Sequence, residues 1–107
     1  MNTIKIKNYI ETVNAETPEQ GDKFYNDILP QVKEFINKEE KFVFDFDELG
    51  TVTTAFLNNS IGRLFNDFDI EVLKKLMLFT GFTNHSQVNS LNLSLKAALT
   101  LVKVTKK

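Results

Sequence analysis

The sequence predicts an α/β fold: a small mixed sheet of about four strands with about three helices packed on it. Two observations carry this expectation. Short stretches that are continuously apolar, or that alternate polar and apolar, take turns along the chain with stretches whose apolar residues recur every three or four positions. That order belongs to strands joined by helical crossovers, which are right-handed in such sheets. The chain has 107 residues, 42% of them hydrophobic and ten of them Phe, enough for one compact core, so residues 1–107 read as a single domain.

Thr3-Ile4-Lys5-Ile6-Lys7 alternates with period two, as expected of an edge or near-edge strand with one face on a core. Tyr9, Ile10 and Val13 either continue it or form a short hairpin partner, the fourth strand. Thr17-Pro18-Glu19-Gln20 is a helix start: Thr17 can cap, Pro18 sits where its missing N–H costs nothing, and Gln20 holds the capping-box position. The stripe Phe24, Tyr25, Ile28, Leu29, Val32, Phe35 and Ile36 then predicts one helix to about Lys38, kinked at Pro30.

Phe42-Val43-Phe44-Asp45-Phe46 suits a central strand covered on both faces. A helix follows, with Phe56, Leu57, Ile61, Leu64, Phe65 and Phe68 as its stripe; its small-residue row Ala55, Asn59 and Gly62 permits close approach of another backbone. Val72 to Phe79 is a further strand candidate turning at Gly81, although Val72 to Leu76 can equally end a helical turn; strand is the favoured reading. From about Ser86 to Val104, Val88, Leu91, Leu95, Ala98, Leu99 and Val102 mark a last helix, with Lys103, Lys106 and Lys107 where its C-terminus favours positive charge.

Cysteine is absent, so thiolate and disulfide chemistry are excluded. The opening residues lack a signal-peptide pattern, and no apolar stretch approaches the roughly 20 residues that span a bilayer, so a soluble cytoplasmic protein without a membrane role is expected. Net charge is -1, but residues 1–71 hold all 14 acidic and 7 basic side chains, whereas residues 72–107 hold 6 lysines and no acid. Such asymmetry can mark a nucleic-acid surface. Here the basic segment lacks Arg, and its aromatics Phe79 and Phe82 stand at its start rather than among the lysines, so no nucleic-acid partner is expected.

Asp45, Asp47 and Glu48 cluster at a strand end, where α/β folds place ligands. The strand plus Asp45-Phe46-Asp47 imitates the start of a haloacid-dehalogenase-like phosphatase, and Leu76-Met77-Leu78-Phe79-Thr80 its second strand. Glu48-Leu49 then interrupts the pattern before Gly50-Thr51, and nothing acidic follows Glu71 to supply later metal ligands. A metal-dependent phosphatase or phosphotransferase using Asp45 is therefore the alternative reading, set against a buried Asp45 that holds the next loop. His85, the only histidine, has no catalytic partner at a recognisable spacing, and Gly21, Gly50, Gly62 and Gly81 are too scattered for a phosphate loop. No catalytic residue, metal site or cofactor is assigned, and a non-enzymatic protein is expected.

The span Phe42 to Phe68 resembles the STAS-like family of bacterial and phage proteins called DUF4325. The likeness lies in Asp45-Phe46 at a strand end, Leu49, the turn Thr53-Thr54, then Ala55-Phe56-Leu57 and Gly62-Arg63-Leu64; the Gly21 helix and the last helix also sit where that family has them. It implies a sheet with helices packed on it, similar to anti-sigma-factor antagonists. Those dock on a histidine-kinase-like ATPase that switches them off by phosphorylating a Ser at the start of the helix after this strand. Here Ala55 stands at that position. Thr54 or Thr53 is then the candidate phosphorylation site, unless one of them is simply the helix N-cap, worth about 1 kcal/mol. The resemblance places partner-binding residues at Asp47, Glu48, Thr51, Thr53, Thr54, Phe56, Asn58 and Asn59, on a regulatory domain that docks on such an ATPase or another regulator. A homo-oligomeric or phage-encoded interaction protein is a third reading.

Overall fold

Residues 1–105 are described by a computed structural model, with side chains as far as Thr100. Strand β1 (Asn2–Lys5) is shorter than the alternating run that announces it, because Ile6–Tyr9 curls into one 3₁₀ turn. Ile6 is fully buried in that turn, Tyr9 meets Phe24 edge-on with ring centroids 5.5 Å apart, and the Tyr9 hydroxyl accepts from Gln31 Nε2 at 2.7 Å. Tyr9 and Ile10 thus pack against the core instead of pairing. The hairpin strand expected there does not form, and Ala15 makes only an isolated parallel bridge with Val52.

Helix α1 (Pro18–Asn37) begins with the expected capping box. Thr17 Oγ1 accepts from the Gln20 N–H at 3.1 Å, and Gln20 Oε1 accepts from the Thr17 N–H at 2.9 Å. Pro30 lies inside the helix at an exposed position, where it removes the N–H that would otherwise bond the carbonyl of Asn26, itself an exposed residue. The helix stops in a Schellman arrangement: Glu40 N–H reaches Phe35 O at 2.8 Å, Glu39 N–H reaches Ile36 O at 3.0 Å, and Glu39 takes φ 55°.

Strand β2 (Phe42–Asp45) lies between β1 and β3 (Met77–Thr80), all parallel, in the order β1-β2-β3. The sheet therefore has three strands and is wholly parallel, where a mixed sheet of about four was expected. Register puts Ile4, Phe44 and Phe79 side by side, and Asn2, Phe42 and Met77 in the next row on the same face. This face meets the helices. Phe24 of α1 packs edge-on to Phe44 at 6.2 Å and stacks on Phe56 at 5.6 Å, while Phe35 stacks on Phe42 at 5.7 Å. On the opposite face, Thr3, Val43 and Leu78 with Lys5, Asp45 and Thr80 do not join the core cluster, although Val43 itself is buried, so the cluster covers β2 on one face and not on both.

The connection from β2 to β3 holds three short helices, α2 (Thr54–Asn58), α3 (Leu64–Asp67) and α4 (Ile70–Leu76), where one helix and a longer strand were expected. Its first break falls after Asn58, where the Leu57 carbonyl receives the N–H groups of Ser60 at 3.1 Å and Gly62 at 2.8 Å while Ser60 Oγ donates to Phe56 O at 2.9 Å. Asp69 caps α4 through the N–H groups of Glu71 and Val72 at 2.9 and 3.1 Å, so the run from Val72 is helical until Leu76. Glycine permits a close helix crossing: a Cβ on Gly21 would lie 2.5 Å from Phe56 O, which brings α1 directly onto α2. Helix α5 (His85–Thr105) packs on α2 and α3; Lys106 and Lys107, expected at its end, lie outside the described residues.

Candidate functional site

Parallel strands deliver their following loops to one edge of the sheet. At that edge Phe46–Thr53 leaves β2, and its backbone is held from two sides. On one side, Gly50 N–H donates to Val13 O at 2.7 Å, Ala15 N–H to Thr51 O at 2.8 Å and Thr53 N–H to Ala15 O at 3.0 Å. Asn14 Oδ1 takes the Thr51 N–H at 3.0 Å, and Gln20 Nε2 secures that segment through Asn14 O at 3.1 Å.

On the other side stands Gln87, fully buried in the first turn of α5. Its Nε2 lies 3.0 Å from Leu49 O, 2.6 Å from Gly50 O and 2.9 Å from Thr83 Oγ1, and its Oε1 accepts from the Thr83 N–H at 2.9 Å. Thr83 Oγ1 donates to Leu49 O at 2.6 Å, and Asn84 Oδ1 accepts from the Gln87 N–H at 3.0 Å. Leu49 and Val52 anchor the loop from beneath, each 3% exposed. The result is a rigid turn whose exposed side chains are Asp47, Glu48 and Thr51, with Val13, 48% exposed, on the adjoining segment.

The three acidic residues do different work. One oxygen of Asp45 accepts from the Asp47 N–H at 2.9 Å. Space for that carboxylate exists because residue 81 is Gly: a Cβ there would lie 2.0 Å from Asp45 Oδ1, and φ at Gly81 is +79°. Asp47 and Glu48 form the tip of a turn closed by Leu49 N–H to Phe46 O at 3.1 Å, with Glu48 in the left-handed region at φ 67°. Glu48 pairs with Lys5, which holds its carboxyl below the usual range and raises the Lys5 ammonium. Among the described residues no group of three or more His, Cys, Asp or Glu is placed to hold a metal ion. Asp45 thus bonds the next loop, but it is half-buried rather than buried as expected.

The remaining predicted residues divide. Thr53 is the N-cap of α2: its Oγ1 accepts from the Phe56 N–H at 3.2 Å and donates to Glu16 O at 2.6 Å. Thr54, half-buried, opens the helix, and its hydroxyl has no hydrogen bond among the described residues. Phe56 corrects the expectation, because it is 0% exposed in the core and presents nothing to a partner. Asn58 and Asn59, at the far end of α2, join helices: Asn58 Oδ1 accepts from Ser94 Oγ at 2.6 Å and Asn59 Nδ2 donates to Asp22 Oδ1 at 3.2 Å. Sequence reasoning missed Asn14 and Gln87. The spacing Asn84-x-x-Gln87 repeats that of Thr17-x-x-Gln20 and was the available signal for the second.

The site is thus a parallel α/β sheet with its core on one face and a loop after β2 that is bonded from both flanks. The chain belongs to the family described as STAS-like domain of unknown function (DUF4325), whose profile matches residues 20–87. The match runs from Gln20 to Gln87, taking in most of α1 with β2, the clamped loop and β3. No curated protein and no solved structure gives a significant match. No helix among the described residues is long and apolar enough to cross a membrane.

Proposed function

We propose that this chain is a non-catalytic, cytoplasmic regulatory domain that docks on another protein through the loop bearing Asp47, Glu48 and Thr51. The observation that carries this reading is the loop's rigidity: it is bonded on both sides to buried or backbone groups while those three side chains remain exposed. A surface already ordered loses little conformational entropy on binding. The partner class we assign, by family likeness, is a histidine-kinase-like ATPase.

Thr53 is committed to two hydrogen bonds, which supports docking without modification there. Thr54 is the hydroxyl we assign to a phospho-switch, where a phosphate would add about two negative charges to the docking surface. Titration of the host's histidine-kinase-like ATPases with wild type and with the exposed double variant Asp47→Lys, Glu48→Lys tests the proposal. Binding by wild type that weakens at least about tenfold in the variant is expected. Binding by none of these ATPases, or equal binding by both proteins, would overturn it.

A further inference from the structure

The sheet's second face is bare, and its chemistry is ordered. Register sets Thr3, Val43 and Leu78 in one row and Lys5, Asp45 and Thr80 in the next. Lys41 comes one step before β2 and, by strand alternation, falls on the same side as Val43. Neither Val43 nor Leu78 belongs to the core cluster. Leu78 is 37% exposed, and Thr3, Lys41 and Thr80 are exposed as well, around a central Val43 that is 8% exposed.

Along β2 this face reads cation, aliphatic, anion: Lys41, Val43, Asp45. That order is its own complement. A second copy laid sheet to sheet, related by a two-fold axis running across the strands at the level of Val43, brings Val43 and Leu78 onto their counterparts, with Lys41 on Asp45 and Asp45 on Lys41. A two-fold axis along the strands would instead set Asp45 on Asp45 and Lys41 on Lys41, which like-charge repulsion opposes. Lys5, the other cation of the face, is already neutralised by Glu48 of its own chain.

We propose that this face binds a second copy of the chain, antiparallel, with the row Thr3, Val43 and Leu78 at its centre. It is distinct from the docking loop and stands or falls independently of it. Three short strands give a face on the order of 10 Å by 15 Å, far below the roughly 800 Å² per partner of a stable interface. The association is therefore weak and appears at high concentration.

Sedimentation equilibrium and an amide NMR dilution series on the whole chain test this. Self-association up to about 1 mM is expected, with shifts centred on Thr3, Val43 and Leu78. Leu78→Lys and Lys41→Glu, both at exposed positions, should each weaken it at least about tenfold, and added salt should weaken it too. Leu93→Lys, at an exposed leucine of α5, should leave it unchanged. A monomer throughout the series, or an association removed by Leu93→Lys and not by Leu78→Lys, would overturn the proposal. So would a chain that stays monomeric while a different protein covers these amides.

Discussion

A buried amide side chain has no water to bond, so its donors and acceptor must all find protein partners. Gln87 divides its side-chain bonds between Thr83 and the loop after β2, which makes one residue of α5 a brace for a segment almost forty positions away in sequence. Gln87→Leu keeps the volume and removes the donors. It should destabilise the fold by about 1–3 kcal/mol in urea melts and speed amide exchange at Gly50 and Thr51 more than in β2. Gln87→Glu goes further, since a carboxylate would face the carbonyls of Leu49 and Gly50. Its folded-state pKa would rise, so its stability should be greatest in acid and fall as pH rises through that value. A variant equally stable across that range would contradict this account.

At the scale of elements, Glu39 is the plainest local mismatch. It occupies the C′ position of the Schellman turn after α1, at φ 55°, where glycine has no Cβ penalty. Glu39→Gly should therefore stabilise the protein by roughly 0.5–1 kcal/mol, a rise in melting temperature of a few degrees, read by calorimetry. Elsewhere, periodicity reported burial better than continuity. Phe56, Leu57, Ile61, Leu64 and Phe65 are all buried as their spacing predicts, yet they lie on two helices and a turn. The same limit explains Val72 to Phe79: a continuous apolar run suits a strand or a buried helix, and only the Asp69 cap, which competes for the N–H groups of Glu71 and Val72, decides that its first half is helical.

Across the whole molecule, Tyr25 ties the first helix to the crossover. The residue is 1% exposed, its hydroxyl donates to Asp67, and the Arg63 guanidinium lies 4.3 Å from the ring centroid while approaching both Asp22 and Asp67 at 3.9 Å. Burial first, and the bond to Asp67 second, push the Tyr25 hydroxyl well above the ordinary tyrosine range. Folded protein thus holds a proton that unfolded chain releases, so stability should be level below about pH 10 and decline above it. Spectroscopic titration should show one of the two tyrosines ionising together with alkaline unfolding, and Tyr25→Phe should flatten the decline. What the sequence determined by itself was the alternation of elements, the capping box of α1, the apolar stripes and the family, because each rests on neighbours within a few residues. The missing fourth strand, the bare sheet face, the burial of Phe56 and the Gln87 clamp were decided only by tertiary structure. Each depends on contacts between distant segments: Tyr9 chooses α1 over a strand partner, helices gather on one side of the sheet, and α5 returns to hold a loop it does not adjoin. The loop from Asp47 to Thr54 was legible as a candidate surface; which of its side chains face outward was not.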